Sequence, residues 1–190
     1  LNKEDGDVEN FGKQWRDYRD IQIDSKNNFS ISKDYLEKML FDNLDIIKDK
    51  EILEIGSGAG RFTEYFVKYA KKCVSIDLSS SIYYNISKNE ENVILIKSDF
   101  NQLESSKKFD IVFCRGVLQH TPNPLLSLKK IHSFVKKDGF VFFDIYKMPK
   151  IGYLHPKYCI WRPLIKNLVK YESFESYLKN NYIINNNGKS

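Results

Sequence analysis

A chain of 190 residues is long enough for one domain with a real core and too short for two full ones. Apolar residues make up 42% and aromatics 14%, which excludes wholesale disorder. The net charge of +5 comes from lysine pairs scattered along the chain (Lys71-Lys72, Lys107-Lys108, Lys129-Lys130, Lys136-Lys137), not from one continuous stripe, and this weighs against a nucleic-acid footprint.

Residues 1–10 are acidic and polar and read as a frayed end. Phe11, Trp15 and Tyr18 follow in an N-terminal arm, residues 1–31. The arm either packs its aromatics on the core or forms a flap over a bound cofactor or acceptor, and the pattern is compatible with both. Ser32 opens the main domain, 32–147, as the cap of a helix whose buried stripe is Tyr35, Leu36, Met39 and Leu40.

Ile52, Leu53 and Ile55 form an apolar strand that stops at the alternate glycines Gly56, Gly58 and Gly60. From Arg61 to Lys71 the apolar residues Phe62, Tyr65, Phe66 and Tyr69 recur at helical spacing. Strand, Gly-rich turn and helix let backbone approach a nucleotide closely, with helix N–H groups facing it. Cys73–Leu78 is a second strand carrying Asp77, about 20 positions after Glu54, where a carboxylate meets ribose hydroxyls. Asp77 could instead cap the following helix, but Ser79, Ser80 and Ser81 can do that, so the ribose role is preferred. A helix is expected over Ile82–Asn89. Val93–Ile96 is a third strand, followed by Asp99 and Phe100.

Phe109–Cys114 is strand four and runs into a loop, Arg115 to Pro124. A helix is expected from Leu125 to Lys136 with Leu126, Leu128, Ile131, Phe134 and Val135 inward. Lys137-Asp138-Gly139 reads as a turn and Phe140–Tyr146 as strand five. The rhythm predicts an α/β fold: a doubly wound, mostly parallel sheet in three layers, α/β/α, with strand order 3-2-1-4-5. A ligand crevice is expected where the order reverses beside strand one.

Over roughly residues 52–147, Glu54-x-Gly56-x-Gly58-x-Gly60, Asp77, Ser98-Asp99-Phe100, Phe109-Asp110-Ile111-Val112 and Val117-Leu118-Gln119-His120 resemble the motifs of class I S-adenosylmethionine (SAM) dependent methyltransferases, a Rossmann-like family. The stretch Gly116–Pro124 looks like that of small bacterial members acting on small molecules or sugars. The resemblance implies SAM as cofactor and methyl transfer to an O or N atom of a metabolite or sugar. It implies that Gly56, Ser57, Gly58 and Gly60 cradle the methionine part, with Glu54 beside its charged end. Asp77 and Leu78 would lie at the ribose, Asp99 at the adenine amino group, and the Phe100 N–H at an adenine ring nitrogen. The backbone at Arg115 and Gly116 would receive the methionine ammonium.

His120 is the leading candidate base, since a neutral imidazole suits proton removal at neutral pH. It could equally order the loop around Pro122 and Pro124. Asp144 and Tyr146, at the end of strand five, are further candidates, whereas His132 and His155 read as ordinary surface or packing residues. No Asn-Pro-Pro-Tyr or Asp-Pro-Pro-Tyr stretch is present, which weighs against methylation of a base amino group. Neither Cys114 nor Cys159 follows a proline, which weighs against cytosine-C5 chemistry. Three other readings stay open: a non-catalytic SAM-binding partner module, an RNA methyltransferase if Lys157, Arg162, Lys166 and Lys170 share one face, and a nicotinamide-dependent oxidoreductase. Arg61, where that last class has its third glycine, argues against it.

Cys73, Cys114 and Cys159 lack C-x-x-C spacing, which fits free thiols in the cytoplasm and gives no metal signature. No apolar stretch approaches the ~20 residues of a membrane span, and no signal peptide is visible. The first residue is Leu1, which reads as a partial or processed chain. In residues 148–190 the aromatic and basic segment Tyr153–Pro163 and the helical patterns Leu164–Tyr171 and Phe174–Leu178 stand where the family's sheet usually ends in a strand hairpin. Either the hairpin is lacking or these helices replace it, and an exposed sheet edge would favour oligomers.

Overall fold

The computed structural model describes residues 18–145 together with Lys13. The chain divides into two units, Leu1–Ile145 and Tyr146–Ser190. Readings made on Phe11, Trp15, Tyr146, Cys159, His155 and the segments within 148–190 therefore lie outside the described residues.

Two short helices, α1 (Arg19–Gln22) and α2 (Asp24–Asn27), lead into α3 (Ile31–Met39) and a single 3-10 turn, Leu44–Ile47. Then β1 (Glu51–Ile55), α4 (Thr63–Tyr69), β2 (Lys72–Asp77) and β3 (Val93–Lys97) follow. The second half comprises β4 (Phe109–Cys114), α5 (Pro124–Ser133) and β5 (Val135–Phe143). The strands form one sheet in the order β3-β2-β1-β4-β5, with every pair parallel. Ile52 pairs with Cys73 on one side and Ile111 on the other, so β1 is central and the order reverses beside it, as the alternation of apolar runs predicts.

Because side chains alternate along a strand, the sheet buries two separate clusters. On one face Ile52, Cys73, Ile111 and Phe113 meet Phe62, Phe66 and Leu36. On the other, Leu53, Ile55, Val74, Ile76 and Val112 meet Ile131 and Phe134 from α5 and its end. Phe113 links two further aromatics: its ring lies 5.2 Å from that of Phe62 and 5.1 Å from that of Phe66. Each such pair adds about 0.5–1.5 kcal/mol beyond area burial.

Several local expectations change. Ser32 does not cap α3. The cap is the Asp24 carboxylate of α2, whose Oδ2 accepts from the Ser32 and Lys33 N–H groups at 2.7 and 3.1 Å. Ile82–Asn89 is not a helix but a 3-10 turn over Ser80–Tyr84. Asn85 ends it, because its carbonyl oxygen accepts from the Ser87 N–H and its amide donates to Thr63 Oγ1, local bonds that compete with a helical ladder. Leu126 is 59% exposed; α5 begins at Pro124 behind the Asn123 cap, and this turns Ser127, not Leu126, inward. Lys137-Asp138-Gly139 lies within β5: Phe109 pairs with Val135 but Ile111 with Phe140, so the segment bulges out between two ladder points. Lys136, at that bulge, reaches Asp110 at 2.9 Å and Glu51 at 3.7 Å. Among the described residues, no helix is long and apolar enough to cross a membrane.

Candidate active site

The carboxyl ends of β1, β2 and β4 meet at the glycine turn, and Asp144 after β5 joins them through the β4 loop. Gly56 and Gly60 have φ of +79° and +97°, which L side chains rarely adopt. Space is closed as well. A Cβ on Gly56 would stand 2.1 Å from Val117 Cγ2, and one on Gly60 would stand 2.4 Å from Asn85 Oδ1. The loop after β4 therefore packs directly on the turn after β1.

Glu54 lies beneath this turn, 1% exposed. Its Oε2 accepts from Thr63 Oγ1 and Ser75 Oγ, both at 2.7 Å. Burial pushes its carboxyl up to about 7, and the charge of Asp77 adds to this, while the two hydroxyl bonds pull it down. Asn85 Nδ2 donates to Thr63 Oγ1 at 3.0 Å and completes a buried network that joins β1, β2 and α4.

Asp77 serves the turn on one side and the next segment on the other. Its Oδ2 accepts from the Gly58 N–H at 2.7 Å, and its Oδ1 from the Ser79 N–H and Oγ at 2.8 and 2.7 Å. Leu78 beside it is 47% exposed. Asp99 accepts from the Asn101 N–H at 2.9 Å, and Phe100 is buried in the core. Asp144 follows β5. Its Oδ1 accepts from the Gly116 N–H at 2.6 Å, and its Oδ2 lies 3.7 Å from Arg115 Nε. Asp144 thus fastens the β4 loop. His120 ends a 3-10 turn, Leu118–His120, is exposed, and donates its N–H to the Val117 carbonyl at 2.8 Å.

Sequence reasoning passed over several neighbours. The Arg115 guanidinium stands 4.0 Å over the Tyr35 ring and 5.3 Å over the Phe62 ring. Arg61 Nε donates to Ser32 Oγ at 2.8 Å, and burial together with the Arg115 charge lowers the Arg61 pKa. Tyr35, expected in the buried stripe of α3, is 45% exposed and carries the Arg115 guanidinium over its ring. The only sequence signal for Arg61 was its place directly after the third glycine. Ser57 Oγ, Arg115 Nε and both amide atoms of Gln119 are buried with no hydrogen-bond partner among the described residues, Arg115 Nε having only the 3.7 Å ion pair to Asp144. Cys73 and Cys114 are free and buried; burial raises both thiols, Cys114 to about 12, so neither is a thiolate at neutral pH.

A parallel sheet ordered 3-2-1-4-5 with a glycine turn after β1 and a carboxylate at the end of β2 is the doubly wound arrangement that holds a nucleotide-like ligand where the strand order reverses. Residues 53–143 match the family described as "Methyltransferase domain". It is 27% identical over 115 residues to a ubiquinone biosynthesis O-methyltransferase of Coxiella burnetii, covering 57% of this chain and 49% of that protein. It is 32% identical over 106 residues to a probable (S)-tetrahydroprotoberberine N-methyltransferase 2 of Papaver bracteatum, covering 52% and 30%. The solved structure of Haemonchus contortus phosphoethanolamine N-methyltransferase 1, in complex with phosphoethanolamine and S-adenosylhomocysteine, has the same fold. Its TM-score is 0.57 at 19% identity, covering 74% of this chain and 32% of that one. The chain thus spans about half the length, or less, of the curated relatives it matches.

Proposed function

We propose that this domain binds S-adenosylmethionine and transfers its methyl group to an O or N atom of a small molecule, in the cytoplasm. The observation that carries the reading is the closed glycine turn at the point where the strand order reverses, with Asp77 fixed against it. The residues fit the cofactor: Ser57 Oγ is buried there with no hydrogen-bond partner among the described residues, so a polar atom of a ligand can satisfy it. In this reading Gly56, Ser57, Gly58 and Gly60 border the methionine part, Asp77 and Leu78 the ribose, and Asp99 and Phe100 the adenine. Arg115 and Gly116 border the charged end, and Glu54 acts from beneath the turn.

When bound, the cofactor supplies a methyl already activated on a sulfonium, so the chain's own task is to hold an acceptor lone pair in line and to take a proton where the acceptor keeps one. His120 on the β4 loop is the proposed base. Asp144, tied to Gly116 and Arg115, holds that loop in place. His120→Ala then lowers turnover roughly 10²–10⁴-fold while cofactor affinity stays. Calorimetric titration with S-adenosylhomocysteine, with NAD as comparator, tests the cofactor reading. Binding of the first and not the second is the expected result, and the reverse would return the chain to the oxidoreductases.

A further inference from the structure

Ser32 and Tyr35 are i and i+3 on α3, so they are neighbours on one side of that helix. Each meets an arginine that follows a strand of the sheet. Ser32 Oγ accepts from Arg61 Nε at 2.8 Å, just past the glycine turn. The Tyr35 ring lies 4.0 Å from the Arg115 guanidinium, at the end of β4. The helix is itself fixed at this point, because Asp24 holds the Ser32 N–H and Oγ at 2.7 and 2.9 Å. One turn of α3 thus spans the turn after β1 and the loop after β4.

The Arg115 link reaches further. Arg115 Nε lies 3.7 Å from Asp144 Oδ2, and Asp144 Oδ1 accepts from the Gly116 N–H at 2.6 Å. Val117, the next residue, packs on Gly56, and His120 follows in the same loop. Tyr35 therefore stands at the far end of a row of contacts that closes on the glycine turn. Like charges oppose this arrangement: Arg61 and Arg115 both stand 5.3 Å from the Phe62 ring centre, and the Arg115 charge helps lower the Arg61 pKa. Two groups hold Arg115 against that repulsion, the Asp144 carboxylate and the electron-rich face of Tyr35. The Arg115 side chain is only 20% exposed, so solvent screens its attraction to the ring weakly. We infer that Tyr35 is a positioning residue: it acts through Arg115 to set the β4 loop against the glycine turn, so that α3 governs how tightly the crevice holds its cofactor. This inference rests on the methyltransferase reading and adds to it a control point outside the sheet.

Gly116 reports on this directly. Arg115-Gly116 is the one Arg-Gly pair in the sequence, and Ser57-Gly58 is the one Ser-Gly pair. Arginine or serine labelled at the carbonyl carbon, combined with nitrogen-labelled glycine, therefore isolates either amide signal by NMR in the full chain. Each of these N–H groups is held by a carboxylate, Asp144 or Asp77, but only Gly116 lies on the path from Tyr35. Tyr35→Leu keeps an apolar side chain and removes the aromatic face, whereas Tyr35→Phe keeps that face. Hydrogen exchange at Gly116 should be about tenfold or more faster in Tyr35→Leu and near the parent rate in Tyr35→Phe, with Gly58 unchanged in both. Affinity for S-adenosylhomocysteine should fall about three- to tenfold in Tyr35→Leu and recover in Tyr35→Phe. Equal acceleration at Gly116 and Gly58 would make Tyr35 an ordinary structural residue and overturn the inference. So would an unchanged Gly116 in Tyr35→Leu, the same losses in Tyr35→Phe, or an affinity that holds while Gly116 loosens. If S-adenosylhomocysteine does not bind the parent chain, the cofactor reading fails by itself, and the exchange comparison on the unliganded chain still decides whether Tyr35 sets the loop.

Discussion

The carboxylate of Asp77 holds the backbone of Gly58 at 2.7 Å, so the end of β2 fixes the shape of the turn that follows β1. The same side chain caps the next segment through its other oxygen, at Ser79. Holding the turn and capping the next segment are therefore the work of two oxygens of one group.

From this follows the first prediction. Asp77→Ala should weaken S-adenosylhomocysteine binding by about 1–3 kcal/mol and lower stability by a similar amount, because the Gly58 N–H loses its partner in both settings. Ser79→Ala removes the hydroxyl's bonds to Asp77 and Ser81 but leaves the Gly58 contact, and should leave affinity nearly unchanged. Calorimetry and urea denaturation on both variants separate the roles; equal affinity in Asp77→Ala and the parent would reduce Asp77 to a cap.

Gly60 gives the second. Its φ of +97° is combined with a neighbour that cannot move away, since Asn85 Oδ1 accepts from the Ser87 N–H while its amide donates to Thr63. Gly60→Ala adds a left-handed penalty of about 1–2 kcal/mol to an overpacking cost of about 1–3 kcal/mol. Urea denaturation should show the sum, and a loss below about 1 kcal/mol would mean the turn relaxes freely.

Much of this was legible in the sequence, for definite reasons. The five strands were found because parallel strands buried on both faces read as continuous apolar runs; the edge strands β3 and β5, with Ile94 42%, Phe140 56% and Phe143 40% exposed, are buried less than their composition implies. The glycine turn and Asp77 were legible because spacing along one chain encodes them. What escaped depends on contacts between distant residues: Asp24 capping α3, Tyr35 under Arg115, and Asn85 halting a helix against Thr63. The bulge in β5 escaped because Lys-Asp-Gly has the composition of a turn, and only the pairing to β4 shows that the strand continues through it.

Asp24 carries the third prediction. It is 5% exposed and accepts four bonds, from the Ser32 N–H and Oγ, the Lys33 N–H and the Tyr65 hydroxyl. Burial first, and then that bond to Asp24, holds the Tyr65 phenol far above its ordinary pKa, so it acts as a donor at all working pH values. Asp24→Ala strands several covered donors and should cost roughly 3–5 kcal/mol, whereas Tyr65→Phe removes one bond and should cost about 1 kcal/mol. Chemical denaturation of the two variants checks the ratio; similar losses would show that the cap contributes little beyond the tyrosine contact.

The last prediction concerns Glu54 and has a definite sign. Its carboxyl is raised from 4.5 to about 7, mainly by burial, so the fold favours the protonated form. Below the unfolded value the group is protonated in both states and costs nothing. As pH rises from 4.5 towards 7 the unfolded chain ionises and the folded one does not, so stability falls. Above about 7 it is ionised in both states and the penalty stays constant, at roughly 3 kcal/mol. Glu54→Gln keeps an oxygen for Thr63 and Ser75 and removes the titration. Between pH 5 and 8 the parent should therefore lose about 2–3 kcal/mol more than the variant in urea denaturation. Other carboxylates titrate alike in both proteins and cancel in the difference. Parallel pH profiles would show that Glu54 is ionised throughout, held by its two hydroxyl donors and not neutralised by burial. The outcome bears on function, because a carboxylate that is half-protonated near neutrality beneath the glycine turn would ionise when a cationic ligand binds above it. That ionisation would appear as protons released to the buffer during S-adenosylmethionine titration, and it should vanish in Glu54→Gln.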